Sequence, residues 1–328
     1  MSNPSCSVVL ASHELTEAFE ASVESALEAL SHCTSPGECV VVLDGRPAAD
    51  RERVLDRFSA GRERLKVACV PAGGLTRALI EGCNRAQGTF IARLDVGDAM
   101  APHRLKRQLD AISADPQCVL ATSDVGTCGP RWEPLWVNRG SEALAGIPTR
   151  VDQVPAAEGI AMDIPHHSSV MFRRDAYQAV GGYRSQFYFG QDWDLWYRLA
   201  GAGSFVHLPE VLTRVRLFSN GLSSRHWREQ REIARLSLAC HQARRHGAPE
   251  LDLLEQAALI RPRPRARRQL PWDGRRAEGA YFIAEALRRN GDRRCQGYFR
   301  EALRHGFWKP RILLRYVQFR LADQSNRT

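Results

Sequence analysis

The sequence predicts an α/β protein, with a mostly parallel sheet flanked by helices and then a helical, arginine-rich extension. Three observations carry this. Over residues 6–126, short β-branched runs alternate with segments of helical periodicity; after Gly126 the alternation loosens; from about residue 225 the chain reads as helical and basic. The 328 residues, 44% hydrophobic and 25% charged, suit a globular protein of roughly two domains.

The elements follow in order. "CSVVLAS" (6–12) is an apolar run read as a first buried strand, and "HELTEAFEASVESALEALSHC" is a helix with Ser22, Glu24 and Glu28 among its polar positions. "GECVVVLDG" gives a second strand ending in Asp-Gly, "ADRERVLDRFSAG" a helix, and "RLKVACVPAGG" a third strand. "LTRALIEGCNRAQG" reads as a helix, "TFIARLDVGD" as a fourth strand, and "MAPHRLKRQLDAISADP" as a helix with Pro102 in its first turn. "QCVLATSDVG" is a fifth strand. Strand and helix taking turns is the pattern of parallel strands joined by crossover helices. Further on, "HHSSVMFRRDAYQAVGGYR" reads as strand, helix and a Gly-Gly stop, "QDWDLWYRLAGAG" as a short helix, and "FVHLPEVLTRVRLF" as strand. "RPRPRARRQLP" is an expected linker, and "EALRRNGDRRCQGYFREALRHG" echoes one helix-turn-helix unit.

Charge divides the chain unevenly. Residues 225–328 hold 24 Lys and Arg against 11 Asp and Glu, whereas 1–224 hold 22 against 26. Such asymmetry suggests an anionic partner for the basic part: an anionic membrane surface, or solvent alone. No aromatic-interleaved nucleic-acid motif is present, so no specific nucleic acid is expected. The nine scattered cysteines form no CxxC pair, which argues against a zinc site and for a reducing compartment. No basic leader precedes an apolar stretch, and no apolar run spans a bilayer. The expectation is a cytoplasmic protein, peripheral at the inner face of the plasma membrane.

Asp44 closing the second strand, "GCNRAQGTFIARLDVGD", and the block "HHSSVMFRRDAYQAVGGYR" followed by "FGQDWDLWYRLA" occur in that order. Together they resemble the family 2 glycosyltransferases, which have the GT-A fold and use nucleotide-sugar donors. The resemblance covers about residues 6–224, and the block from His166 to Ala200 is its most specific part. It implies a GT-A-like domain over 1–224, with a donor half at 1–126 and an acceptor half at 127–224, before the basic helical region 225–328.

It also implies roles. Ser12 would lie where the first strand approaches the nucleotide, although Ala11-Ser12-His13-Glu14 replaces the family's usual residues. Asp44 would accept a hydrogen bond from the nucleobase; the alternative is a strand-ending turn. Arg93 and Asp95 would contact the donor. In the family the fourth strand ends Leu-Asp-Ala-Asp-Asp, and the middle aspartate holds a divalent cation on the diphosphate. Here Gly97 stands at that middle position and Phe218 where a histidine is usual. A Mg²⁺ or Mn²⁺ ion would therefore rest on Asp98 and phosphate oxygens. Alternatively Arg214, Arg216 and the backbone of Ser219-Asn220-Gly221 carry the diphosphate charge, and Asp98 caps the next helix.

Asp192 matches the general base of an inverting transfer, and a position as helix N-cap fits it as well. Asp194 would be structural. His167, Trp193 and Trp196 would line the acceptor side, with one tryptophan expected in the core at three-residue spacing. The function implied is a hexosyltransferase-type enzyme moving a sugar from a nucleotide-diphosphate donor, UDP-linked by preference, to a glycan or lipid-linked glycan in surface polysaccharide biosynthesis. The alternative is a degenerate GT-A module that binds nucleotide or glycan without turnover.

Overall fold

A computed structural model describes residues 5–140, 142–150, 165–218, 226–262 and 273–325. The proposed Ser219-Asn220-Gly221 anion site and most of the Pro/Arg linker lie outside the described residues. The chain divides into two compact units: Met1–Val125, Val137–Val215 and Glu229–Arg261 in the first; Gly126–Trp136, Arg216–Arg228 and Pro262–Thr328 in the second.

The first unit begins with β1 (Cys6–Ser12), α1 (Glu17–Ser31), β2 (Gly37–Asp44), α2 (Ala49–Arg57), β3 (Leu65–Val70), α3 (Leu75–Arg85) and β4 (Phe90–Arg93). Then come β5 (Ala99–Met100), α4 (Arg104–Ser113), β6 (Cys118–Cys128), β7 (Pro134–Asn138) and β8 (Thr149–Arg150), with the end of β6 and the start of β7 assigned to the second unit. β9 (Met171–Arg173), α5 (Arg174–Ala179), α6 (Gln191–Ala202) and β10 (Ser204–Arg216) follow. The sheet runs β3-β2-β1-β4-β9-β6-β10-β5. Pairing is parallel from β3 to β4 and antiparallel at β4–β9, β9–β6 and β10–β5, so the sheet is mixed and its parallel part is the amino-terminal half.

Why β1 and β2 read as unbroken apolar runs is now evident. Val8, Leu10, Val41 and Leu43 enter one core with Phe19, Val23 and Leu105; Val9, Val40 and Val42 enter the other with Leu79, Phe172 and Trp196. Alternate side chains leave opposite faces of a strand, and helices cover both faces. The order also fixes where a ligand binds. From β1 the chain crosses to β2 and β3 on one side, while β4 lies on the other. A crevice opens outside the carboxyl ends of strands at such a switch point. Ser12, Asp44 and Asp95 end or follow β1, β2 and β4.

Two more helices, α7 (Trp227–Arg245) and α8 (Leu251–Leu259), group with the first unit, where Ile233, Cys240 and Ala257 pack on Phe187. The second unit holds α9 (Gly274–Arg289), α10 (Cys295–Gly306) and α11 (Pro310–Ser325). The helix-turn-helix echo in the sequence is the α9–α10 pair. Asp273 caps α9 by accepting from the Arg275 and Arg276 amides, and Ala277, Ala280, Ala284 and Ala302 let the helices close around Phe299. Buried Glu133 accepts from the Tyr298 hydroxyl at 2.8 Å and from the Arg131 amide. All nine cysteines are free thiols, and among the described residues no helix is long and apolar enough to cross a membrane.

Candidate active site

β4 stops at Arg93, and "LDVGD" is a turn rather than strand. The Asp98 amide donates to the Asp95 carbonyl at 3.1 Å, closing a four-residue turn whose third residue, Gly97, has φ 104°. Only glycine adopts that conformation without strain, which answers why it stands between the two carboxylates. Ser22 of α1 fastens the turn: its oxygen accepts from the Gly97 amide at 2.9 Å and its hydroxyl lies 2.7 Å from the Asp98 carbonyl. Gly97→Asp, which restores the family's usual middle carboxylate, is therefore expected to cost about 1–2 kcal/mol, read as a lowered Tm in thermal denaturation.

Asp95 is the carboxylate this turn presents. Arg93 donates to its Oδ1, Ser168 Oγ accepts from its amide at 2.9 Å, and His167 Nδ1 lies 3.7 Å from its Oδ2. Burial raises its pKa, but Arg93, His167 and His166 outweigh burial and hold it below the ordinary aspartate value. Arg93 itself is fully buried; its guanidinium donates to the Val9 and Leu94 carbonyls and to His167 Nε2. The expectation of a donor contact is thus corrected: Arg93 has no surface to offer a ligand and acts by holding Asp95.

His167 is corrected in the same way. It is 8% exposed, and burial together with Arg93 lowers its pKa to about 3, so the ring is neutral. Because Arg93 donates to Nε2, which also meets the Tyr183 hydroxyl at 2.7 Å, the ring proton belongs on Nδ1, facing Asp95. His167 backs the carboxylate and does not line an acceptor surface.

Asp192 lies in the first turn of α6, whose N-cap is Gly190, not Asp192. Burial is the main force on its carboxyl and pushes the pKa up to about 6; the charge of Asp95 adds to this, while the amides of Asp192 and Trp193 and the charge of Arg93 oppose it. The two carboxyls are thus shifted in opposite directions, Asp95 down by its cationic neighbours and Asp192 up by burial and by the charge of Asp95. Asp194, two residues on, is fully buried and bonds Arg198 at 2.5 and 3.0 Å, with Arg184 at 3.5 Å. Its role is structural.

The tryptophans separate cleanly. Trp196 is fully buried against His167 and Phe172, so its placement on the acceptor side is corrected: no ligand reaches it. Trp193 is partly exposed beside Asp192. Ser12 ends β1 with its hydroxyl donating to the Glu14 carbonyl at 2.6 Å, a local turn. Asp44 accepts from the Gly73 and Gly74 amides at 2.8 and 3.0 Å, so both carboxylate oxygens sit at the α3 N-terminus. Gly74, at φ 82°, is the N-cap of that helix, and a Cβ there would meet the Tyr188 ring at 2.7 Å. An open groove of about 570 Å³ runs beside Asp44, lined by Gly45–Ala48 and Cys69–Ala72.

Among the described residues no group of three or more His, Cys, Asp or Glu stands together, Gly97 and Phe218 supply no donor atom, and one oxygen of Asp95 is taken by Arg93. Asp98 is only 5% exposed and interacts with the charge of Arg104, which corrects its expected role as a direct donor and metal ligand; nor does it cap α4, whose N-cap is His103. Arg216 stacks over Trp132 and Phe218 at 4.4 and 5.3 Å. Arg214 is exposed on β10, its backbone paired with Ala99 directly after the turn.

Two residues that sequence reasoning passed over complete the frame. Arg104 and Gln108, one turn apart on α4, are both fully buried. Arg104 donates to the carbonyls of Ser168, Arg93 and Val170 at 2.7–3.1 Å, and Gln108 to those of Ala121 and Ser169. They clamp β4, β6 and the 167–170 segment into one geometry.

Residues 7–181, just over half of the chain, match the model of Glycosyl transferase family 2. The chain belongs to that family. The amylovoran biosynthesis glycosyltransferase AmsE of Erwinia amylovora is 29% identical to this glycosyltransferase over 230 residues, covering 67% of the chain and 81% of the relative. The O-antigen biosynthesis protein RfbC of Myxococcus xanthus is 28% identical over 68% of the chain, which matches 16% of that longer protein. Among solved structures, S. aureus TarS 1-349 aligns over 98% of the chain and 91% of its own with a TM-score of 0.51 at 13% identity. The mannosyltransferase PcManGT of Pyrobaculum calidifontis, solved with GDP-Man and Mn2+, aligns over 96% and 84% with a TM-score of 0.50 at 15% identity. Both likenesses are of fold, and that fold is GT-A-like.

Proposed function

We propose that this glycosyltransferase moves a sugar from a nucleoside-diphosphate donor, UDP-linked by preference, to a hydroxyl of a glycan or lipid-linked glycan in surface polysaccharide assembly. The transfer inverts the anomeric carbon. The observation that carries this reading is Asp192, a carboxyl poised near pH 6 at a helix N-terminus and under the field of an ionised Asp95. Asp192 takes the proton from the acceptor hydroxyl as that oxygen attacks C1, while the C1–O bond to the diphosphate breaks on the opposite side. Asp44, fixed by two amides, keeps lone pairs for the imide N–H of a base in the groove beside it. Asp95 is the donor-sugar or ribose contact, held by Arg93 and His167. Trp193 flanks the acceptor. The names of the relatives support polysaccharide assembly as the setting, and nine free thiols suit the cytoplasm.

Charge on the departing diphosphate falls to Arg214, beside the turn, since Gly97 and Phe218 replace the family's usual cation ligands. Nucleoside-diphosphate release from a panel of sugar nucleotides, with and without Mn²⁺ and with EDTA, tests this. Turnover of a UDP-sugar that EDTA lowers less than about tenfold is expected; abolition by EDTA overturns the metal-independent part. The missing cation ligands favour a second reading, a binding module without turnover, and binding of a donor with no release of diphosphate under any condition would establish it.

A further inference from the structure

Among the described residues, six of the eight large apolar side chains that the second unit exposes lie in one stretch of chain, the others being Phe218 and Phe282. Phe307, Trp308, Leu313, Leu314, Val317 and Leu321 follow one another along the turn before α11 and α11 itself, each at least 44% exposed. At about 100° per residue, positions 313, 314, 317 and 321 share an arc of about 100° on the helix surface. Ile312, Tyr316 and Phe319 occupy the opposite side and pack into the core. The helix therefore has two apolar faces, of which one fills the unit and the other meets solvent. Exposed Arg320 borders the outer face on one side and exposed Arg311 on the other. Residues 262–328 as a whole hold 17 Lys and Arg against 6 Asp and Glu.

We propose that this face of α11 docks on an anionic lipid bilayer, lying in the interface without crossing it. An apolar stripe bordered by arginines, with Trp and Phe at its end, is the pattern of an interfacial helix: apolar groups enter the acyl boundary and guanidinium groups stay at the phosphates. Charge complementarity selects the occupant. A second copy of the chain would bring the same cationic borders together, and a nucleic acid offers nothing to the apolar stripe. Anionic headgroups satisfy both features, at about fivefold in partition for each arginine near the surface. This surface is independent of the sugar-transfer reading.

The test is co-sedimentation of the full chain with vesicles of phosphatidylglycerol and phosphatidylcholine in equal parts, and with phosphatidylcholine alone. The protein should pellet with the anionic vesicles, at least tenfold less with neutral ones, and less as salt rises. Leu313→Asp with Val317→Asp should lower the partition at least tenfold, and Arg311→Gln with Arg320→Gln by a similar factor. Circular-dichroism melts and vesicle-free nucleotide release should stay at the wild-type value, which separates failure here from failure of the enzymatic reading. If the aspartate pair lowers the melt, the arginine pair decides. A wild type that stays in the supernatant, or an arginine pair that pellets like wild type, overturns the proposal. So does a wild-type dimer in sedimentation velocity that the aspartate pair makes monomeric while vesicle binding is absent.

Discussion

Asp192→Asn is expected to lower nucleoside-diphosphate release by about 10²–10⁴-fold, the usual contribution of a positioned general base, and to raise the Tm at pH 7. Both effects come from one feature. Burial and the neighbouring charge of Asp95 push the Asp192 carboxyl from 3.8 to about 6. A base must be ionised, so wild-type kcat/KM should rise tenfold per pH unit below about 6 and level off above it. Stability runs the other way. The folded state keeps a proton that the unfolded chain has released, so this group's contribution is full below pH 3.8 and is lost as pH rises through about 6. At pH 7 the wild type carries a desolvated charge beside Asp95, and asparagine removes it. Melts at pH 4 and pH 7 should show the variant's gain at neutral pH alone. Equal melts at both values, with the rate lost, would leave Asp192 catalytic and remove the electrostatic reason given for its poise.

The second large effect lies outside the catalytic groups. Arg104→Met keeps the aliphatic volume of the side chain and removes the donors to three buried carbonyls, those of Arg93, Ser168 and Val170. The Val170 carbonyl keeps the Arg93 amide at 2.9 Å, and the loss of this donor at the Ser168 and Arg93 carbonyls costs on the order of 3 kcal/mol in all. Burial draws the Arg104 pKa down to about 9, so the guanidinium is still charged at neutral pH. Lysine should not rescue, because a single ammonium cannot span three carbonyls in the fork geometry of arginine. Chemical denaturation is the direct check. A residual activity with raised KM and unchanged pH profile would mark Arg104 as a positioning residue for Asp95, whose preceding strand it anchors through the Arg93 carbonyl.

The β1–β4 alternation was legible because burial on both faces writes a continuous apolar run, and Asp44, Asp95 and Asp192 stood out as carboxylates at strand or helix ends. What a single sequence hides is which polar group turns inward. Ser22 looked like one more polar position on α1, yet it is buried and ties the Asp95–Asp98 turn. Nothing in the sequence of α4 marks Arg104 and Gln108 as inward-facing, and only the third dimension brings carbonyls to them. Arg93, His167 and Trp196 neighbour the motif in sequence yet stand behind it in space, in the layer that orients Asp95. Gly97 was legible as a missing ligand, but its positive φ gives it a second reason to be glycine.

In the proposed mechanism Asp95 and Asp192 flank the reacting carbon of a sugar nucleotide. A crystal structure with an intact donor analogue measures it most directly. The expected arrangement has the base beside Asp44, the diphosphate at the carboxyl ends of β1 and β4 near Asp95, and space for an acceptor oxygen within ~3 Å of the Asp192 carboxylate. A nucleotide bound elsewhere on the sheet, or a sugar whose C1 turns away from Asp192, would contradict it.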